Sequence, residues 1–278
     1  MEQRWRRLAR EASVDARRSK KLFVFDLDGT LAESKSAVSP EVAGLLVLLL
    51  DVIKVAVISG GTWTQFETQL LAQLPRANGF RNLFLLPTNG TQFFQHDQGW
   101  VRLYSEALSE EERCLIISSL HHALEMAGIK VDRTWGEVIE DRGSQITMSV
   151  LGQDAPLAVK RSWDPDFANR TRIVSLLETL LPSFAIRMGG TTSIDVTKPG
   201  IDKAYGIGKL REHLDISIGE MLFAGDAIFA GGNDFSVQES GVDSILVSGP
   251  HETARVIQTV IACVGDGSLQ MKSPGRTS

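Results

Sequence analysis

The sequence predicts an α/β protein with a doubly wound, Rossmann-like parallel-sheet core and an inserted α+β domain. Two observations predict the core: short continuous apolar runs that stop at glycine-containing turns, and helical segments between those runs. A third observation predicts the insert, because the middle of the chain replaces continuous apolar runs with alternating ones. A chain of 278 residues with 43% hydrophobic side chains is long enough to bury both parts.

The first ninety residues carry the repeating pattern of a parallel sheet. Residues 22–25 form a continuous apolar run that ends in an aspartate- and glycine-containing turn, which is typical of a buried parallel strand. Ser39 and Pro40 then offer an N-cap and a first helical residue for a helix that ends near Leu50. Two further apolar runs, over 55–58 and 83–86, predict the second and third strands.

The middle of the chain predicts an antiparallel sheet with helices. The sequence indicates a hairpin over 91–104, a helix to about 127 that opens on the capping box of Ser109 and Glu112, a strand over 144–151, a helix over 166–181 and strands over 184–188 and 193–197. The buried-strand pattern then returns with a helix over 201–214, strands over 221–224 and 244–247, and a helix over 252–264.

These elements predict a discontinuous core domain interrupted by one insert. The predicted divisions are a basic N-terminal leader over 1–20, a core over 21–90 and 193–264, an α+β cap domain over 91–192, and a disordered tail over 265–278.

Charge and cysteine content exclude several classes of protein. The formal net charge is −5, although the first 21 residues hold eight basic and three acidic side chains, so the rest of the chain is acidic. An acidic body argues against nucleic-acid binding, and the leader is better interpreted as a solvated helix than as a targeting, membrane-surface or partner-binding segment. Asp51 and Lys54 interrupt the most apolar stretch, so we expect no membrane span. Two distant cysteines predict neither zinc nor disulfides and fit a cytoplasmic protein.

Asp26 and Asp28 are the first candidates for chemistry. They lie two residues apart after the first strand, so both carboxylates point to the same side, at the sheet edge where α/β proteins bind ligands. Paired carboxylates favour a bound cation such as Mg²⁺, and an aspartate can also attack phosphorus as a nucleophile. Taken alone, the Asp-x-Asp-Gly-Thr segment could equally be an ordinary turn.

Other strand ends supply the remaining groups that phosphoryl transfer needs: a hydroxyl, backbone N–H groups at glycines, an ammonium and further carboxylates. The residues that offer these groups are Ser59, Gly60, Gly61, Lys203, Asp226, Asn233 and Asp234. Each one alone is a weak signal, but their order along the chain favours a phosphate and metal site.

Together these motifs resemble the four motifs of the haloacid dehalogenase superfamily of phosphotransferases, and the insert resembles a type-II cap. The resemblance covers roughly residues 21–263. It implies that Asp26 is the nucleophile and Asp28 the acid and base. It also implies that Ser59 and Lys203 bind the phosphoryl group, and that Asp226 binds Mg²⁺ together with Asp26 and Asp28, Asp28 mainly through its backbone carbonyl.

Within that superfamily, the segment that leads from the insert back to the core is similar to the corresponding segment of eukaryotic-type phosphomannomutases. This resemblance implies substrate contacts from Ser193 and Asp195 and a distal phosphate held by cap residues, of which Arg142 matches one arginine. Lys35 and Gln153 stand at two positions where those enzymes have arginine, and Lys160 is the nearest match to a further arginine.

Because a mutase must grip its intermediate while the intermediate turns around, these departures favour a sugar-phosphate phosphatase that works through an aspartyl-phosphate. A phosphomannomutase or phosphohexomutase stays as the alternative, and a non-catalytic protein that binds a phosphorylated ligand stays as a second alternative. The expected partner is a small phosphorylated substrate such as a sugar phosphate, and a homodimer formed through the cap is a further prediction.

Overall fold

The computed structural model describes residues 20–130, 133–189 and 191–269. The predicted leader lies outside the described residues apart from Lys20, as does Gly190 between the two return strands. The last helix extends to Leu269, five residues into the tail predicted over 265–278. The remainder of that predicted tail lies outside the described residues.

The core is built on a mixed, mainly parallel sheet of seven strands. Its strands are β1 (Leu22–Phe25), β2 (Lys54–Ile58), β3 (Leu83–Leu86), β4 (Gln92–His96), β5 (Trp100–Ser105), β10 (Met221–Gly225) and β11 (Asp243–Leu246). Their order across the sheet is β11-β10-β1-β2-β3-β4-β5, and only the β3–β4 and β4–β5 pairs are antiparallel. Strands β1 and β10 are neighbours, although almost the whole chain separates them. Their carboxyl ends therefore form a topological switch point, where such sheets bind ligands.

A second, four-stranded antiparallel sheet has the order β6-β7-β9-β8. Its strands are β6 (Ile139–Asp141), β7 (Gln145–Ser149), β8 (Ala185–Gly189) and β9 (Ser193–Thr197). Within the described residues the α-helices are α1 (Pro40–Leu50), α2 (Trp63–Gln69), α3 (Glu110–Met126), α4 (Leu157–Trp163), α5 (Ala168–Leu180), α6 (Lys203–Leu214), α7 (Phe235–Glu239) and α8 (Pro250–Leu269).

Helices cover both faces of the first sheet because its central strands are apolar on both sides. In β1, Phe23 and Phe25 pack in the cluster that contains α1 and α8, whereas Leu22 and Val24 pack in the cluster that contains α6 and α7. All four side chains are fully buried. This arrangement confirms the predicted doubly wound α/β core.

The second sheet has its own apolar core, in which buried residues of β7 and β9 pack against α3 and α5. Helix α3 begins at the predicted capping box, in which the Ser109 Oγ accepts from the Glu112 N–H and the Glu112 carboxylate accepts from the Ser109 N–H. The Ser109 hydroxyl and the Glu112 carboxylate therefore satisfy two N–H groups that would otherwise lack partners.

The membership of the two sheets differs from the predicted boundaries of the insert. The hairpin of β4 and β5 was expected in the cap, but β4 pairs with β3 and extends the core sheet. Strand β9 was expected in the core, but it pairs with β7 and β8. Alternating apolar residues indicate a half-buried strand without indicating its partner, so local pattern could not decide either assignment. The division into a core domain and a cap domain stays a prediction.

Candidate active site

The predicted site residues converge at the carboxyl ends of the central strands. Asp26 follows β1, Ser59 follows β2 and Asp226 follows β10, and Lys203 is the first residue of α6. The Asp26 N–H donates to the Ala224 carbonyl (3.0 Å), which extends the pairing of β1 with β10 and sets Asp26 beside the end of β10.

Lys203 contacts the carboxylates of Asp26 and Asp234. Its Nζ lies 2.6 Å from Asp26 Oδ1 and 2.5 Å from Asp234 Oδ1, and all three side chains are buried. Burial alone would lower the pKa of the ammonium, but the charges of Asp234 and Asp26 outweigh burial and raise it. Burial also raises the pKa of Asp26 well above its ordinary value, with Lys203 opposing this shift and Asp234 adding to it.

Asp26, Asp226 and Asp234 form a cluster that could hold a metal ion, because each offers a carboxylate oxygen within 4.8 Å of the others. Burial, followed by the charge of Asp234, raises the pKa of Asp226. When all three carboxylates are ionised, the one ammonium leaves two negative charges uncompensated. The number of charges and the hard oxygen donors both fit a divalent cation such as Mg²⁺.

Two glycines make room for this cluster. Gly29 has a φ of +84°, and a Cβ there would lie 2.3 Å from Asp226 Oδ2. A Cβ at Gly225 would lie 2.4 Å from Asp234 Oδ2. Both positions therefore need glycine for the carboxylates to approach one another.

The segment after β2 presents a hydroxyl and backbone N–H groups. The buried Ser59 Oγ accepts a hydrogen bond from the Gly61 N–H at 3.1 Å. The Gly60 carbonyl accepts from Arg142 Nη1 at 2.6 Å. The segment therefore follows the carboxyl end of β2 and is joined by Arg142 to the second sheet.

Asp28 is not a member of the cluster of three, and its carboxylate has partners of its own. Oδ1 accepts from the Lys35 N–H (2.6 Å) and from Gln69 Nε2 (3.3 Å), and Oδ2 accepts from Gln65 Nε2 (2.8 Å). Neither glutamine was predicted from the sequence. Their spacing of four residues on one helix face was the signal that could have found them.

Lys35, Gln153 and Lys160 contact one another instead of standing free. Lys35 Nζ donates to the carbonyl (3.1 Å) and to Oε1 (3.0 Å) of Gln153, and Lys160 Nζ donates to the same carbonyl at 2.8 Å. Burial and the neighbouring Arg142 lower the pKa of Lys35, and burial and Lys35 lower the pKa of Lys160.

Arg142 is held by Glu140 besides its contact with the Gly60 carbonyl. Its Nη2 lies 2.6 Å and its Nε 3.0 Å from Glu140 Oε2. Arg142 and Glu140 line an open cleft of about 460 Å³. The other residues that line it are Lys35, Thr62, Thr64, Gln65, Thr68, Gln69, Gln153 and Asp154. Cations and carboxylates both line the cleft, so it is not strongly positive.

Ser193 and Asp195 lie on β9 of the second sheet. Asp195 Oδ1 accepts from Thr147 Oγ1 at 2.8 Å, and burial raises the pKa of Asp195 against the opposing charge of Arg142. Ser193 pairs with Ser149 in the sheet.

The structure separates two residues that the sequence analysis had grouped together as substrate-binding. Asn233 is exposed, whereas Asp234 is buried and joins the carboxylate cluster. Asp234 Oδ2 also accepts from the Ala227 N–H at 3.0 Å, so this side chain closes the loop after β10. The geometry makes Asp234, and not the Asp28 carboxylate, the third member of the cluster.

A model of the eukaryotic phosphomannomutase family matches residues 42–263. The chain belongs to this family. It is 26% identical to phosphomannomutase 2 of Dictyostelium discoideum over 245 residues, which cover 85% of this chain and 94% of that relative. It is 28% identical to human phosphomannomutase 1 over 241 residues, which cover 83% of this chain and 87% of the human protein.

Solved structures support the fold. A haloacid dehalogenase-like hydrolase from Bacteroides thetaiotaomicron aligns with a TM-score of 0.60 at 17% identity and covers 87% of this chain and all of that one. ATP-bound IMP-nucleotidase from Plasmodium falciparum aligns with a TM-score of 0.68 at 16% identity, over 92% of this chain and 62% of that one. The family assignment identifies the chain as a phosphotransferase enzyme of the haloacid dehalogenase superfamily. Within the described residues, no helix is both long and apolar enough to cross a membrane.

Proposed function

We propose that this chain is a Mg²⁺-dependent phosphotransferase that interconverts hexose 1- and 6-phosphates through an aspartyl-phosphate at Asp26. The observation that carries the proposal is the contact of the buried Asp26 with Lys203 inside the cluster of three carboxylates. Phosphomannomutase relatives that align with most of the chain support a hexose phosphate as the substrate.

In the first half-reaction Asp26 forms a bond to phosphorus as the bond from phosphorus to the substrate oxygen breaks. The Lys203 ammonium, 2.6 Å from Asp26 Oδ1, would pair with the transferring phosphoryl oxygens. Ser59 and the backbone N–H groups beside it would donate to the same oxygens. When bound by Asp26, Asp226 and Asp234, Mg²⁺ would neutralise charge that develops on the phosphoryl group.

Asp28 would protonate the leaving oxygen in this half-reaction and accept a proton from the attacking hydroxyl in the second. If the attacking hydroxyl belongs to the hexose phosphate, the product is a bisphosphate intermediate that must turn around and return a phosphoryl group to Asp26. If water attacks, the product is inorganic phosphate and the enzyme is a phosphatase.

A phosphatase is the second candidate, and one set of contacts favours it. Gln153 stands where the family resemblance implies a phosphate-binding arginine. Lys35 and Lys160 both donate hydrogen bonds to Gln153. With Glu140 and Asp154 beside the same cleft, the region offers less positive charge to a second phosphate than a set of arginines would. Weaker retention of the intermediate would favour attack by water.

A ³¹P NMR time course on mannose and glucose phosphates, with Mg²⁺ and a hexose bisphosphate present, decides between the two candidates. We expect 1- and 6-phosphates to interconvert faster than free phosphate appears. Release of phosphate without interconversion would reject the mutase and leave the phosphatase. Activity on neither sugar, together with no phosphate release from any sugar phosphate, would reject both.

Two variants test the chemistry that both candidates share and the reason why the phosphoryl group passes to a hexose or to water. Asp26→Asn should abolish turnover while leaving the fold intact, and undiminished activity in this variant would contradict the mechanism. Gln153→Arg should shift the ratio of products towards interconversion, because a bidentate cation holds a phosphate better than a neutral amide does.

A further inference from the structure

Helix α2 holds the side chain of Asp28 through two glutamines. We propose that Gln65 is a positioning residue that orients the Asp28 carboxyl group so that protons pass through Oδ2. This inference rests on the proposed function, in which Asp28 is the acid and base, and it adds a residue that the motif resemblance does not include.

The two oxygens of Asp28 have different surroundings. Oδ1 accepts from the Lys35 N–H at 2.6 Å and from Gln69 Nε2 at 3.3 Å. Oδ2 accepts from Gln65 Nε2 at 2.8 Å and, among the described residues, from no other donor. Since each carboxylate oxygen has two lone pairs, Oδ1 is fully used whereas Oδ2 keeps one lone pair for a proton.

The orientation of the Gln65 amide follows from its neighbours. Nε2 must face Asp28, because a carboxylate only accepts hydrogen bonds and would repel the amide oxygen. The amide oxygen then lies against Gly61, where a Cβ would stand only 2.4 Å away. The Thr62 Oγ1 accepts from the Gln65 N–H at 3.3 Å and so fixes the first turn of the helix. Gly61 and Thr62 thus determine the position of Gln65.

The Oδ1 side of the Asp28 carboxyl group is also held in place. Gln69 is 4% exposed, and its Nε2 donates both to Asp28 and to the Ser36 carbonyl (3.0 Å). The nearly buried Gln69 therefore holds Oδ1 together with the Lys35 N–H, whereas the partly exposed Gln65 holds Oδ2, and both glutamines line the cleft.

Asp28 Oδ2 gives up and regains one proton over the two half-reactions. Oδ2–H gives its proton to the leaving oxygen as the bond from Asp26 to phosphorus forms and the bond from phosphorus to that oxygen breaks. The attacking hydroxyl then returns a proton to Oδ2 as its own bond to phosphorus forms and the aspartyl-phosphate bond breaks. Gln65 keeps its hydrogen bond to the second lone pair of Oδ2 throughout and itself transfers no proton.

The test compares substrates that need the acid with one that does not. For Gln65→Ala we expect kcat/KM to fall roughly ten- to a hundredfold on a hexose phosphate, whose leaving alcohol requires a proton. On p-nitrophenyl phosphate, whose leaving group departs unprotonated, we expect a change of less than about threefold. In an Asp28→Asn background, Gln65→Ala should change kcat/KM on the hexose phosphate by less than about twofold, because the two residues act as one unit.

Glu67→Ala is the matched control, because Glu67 is an exposed residue on the same helix and does not line the cleft. It should leave both substrates unaffected. An equal loss on the two substrates for Gln65→Ala, a further loss in the Asp28→Asn background, or no loss at all would each overturn the inference. A wild-type protein that is inactive on both substrates would instead reject the proposed function.

Discussion

At the scale of single residues, Lys203 is a buried ammonium between two buried carboxylates. Replacing it with methionine keeps the length of the side chain but leaves Asp26 and Asp234 without their cation. Removing one partner of a buried ion pair costs about 3–5 kcal/mol. We expect Lys203→Met to lower the Tm measured without Mg²⁺ by roughly 10 °C. We also expect Mg²⁺ to raise the Tm of this variant more than that of the wild type, because the cluster has become more negative.

Lys209→Met is the matched control for this experiment. Lys209 lies on the same helix and contacts Glu106 at 3.2 Å, and because both side chains are partly exposed this ion pair contributes less to stability than the buried one. Calorimetry or dye-monitored unfolding, with and without Mg²⁺, gives both readouts. Equal losses for the two variants, or an equal response to Mg²⁺, would contradict the assignment of the carboxylate cluster.

The raised pKa of Asp195 predicts that the stability of the protein depends on pH. Burial raises its pKa above the ordinary value of about 4, although Arg142 and the Thr147 hydroxyl oppose the shift. The folded state therefore holds this proton more tightly than the unfolded state, and the associated stability is lost as pH rises through the raised pKa. Asparagine does not ionise, so the Tm of Asp195→Asn relative to the wild type should increase between pH 4 and pH 7. Thermal unfolding curves recorded between pH 4 and pH 7 measure this difference in Tm. A difference that stays constant over that pH range would disprove the interpretation.

At the scale of elements, the N-cap of α2 links local stability to the site. Thr62 accepts from the Gln65 N–H at 3.3 Å, and Ser39 accepts from the Val42 N–H at the same distance at the start of α1. Removing either cap with alanine should cost about 1 kcal/mol. We expect the two variants to lose similar stability, but only Thr62→Ala should lose kcat/KM on a hexose phosphate, because only α2 holds Asp28. Equal activity in the two variants would show that the position of this turn is unimportant.

At the scale of the whole molecule, Arg142 joins the second sheet to the glycine segment after β2. Its Nη1 donates to the Gly60 carbonyl at 2.6 Å, and its side chain is 8% exposed. We expect Arg142→Ala to let the two sheets separate, because a buried charge-assisted hydrogen bond is lost. Small-angle X-ray scattering of the substrate-free protein should show a larger radius of gyration.

Arg187→Ala provides the comparison for that measurement. Arg187 also extends from the second sheet and contacts Asp202 at 3.2 Å, but its side chain is 49% exposed. Its removal should leave the radius of gyration unchanged, since an exposed ion pair is weak. If Arg142→Ala scatters like the wild type, its contact with Gly60 does not hold the sheets together.

Local sequence determined the core strands and the residues that follow them. A run of apolar side chains that stops at Asp26 or Asp226 can be recognised within a few residues, because a strand buried on both faces must be apolar throughout. Parallel strands present their carboxyl ends at one edge, so the convergence of Asp26, Ser59 and Asp226 follows from the same pattern. The capping box at Ser109 and the start of α1 were likewise predictable, because a cap and its N–H partner lie three residues apart.

Tertiary structure alone decided which sheet received the β4–β5 hairpin and which residues the carboxylates contact. Strand pairing depends on neighbours far away in the chain, and an alternating pattern fits either sheet equally well. Asp234 joins Asp26 because the loop after β10 folds back over the strand end, and Gln65 reaches Asp28 because Gly61 leaves space for its amide. Asp26 and Asp234 are more than two hundred positions apart, so their geometry is set by the packing of the folded chain and not by any local pattern.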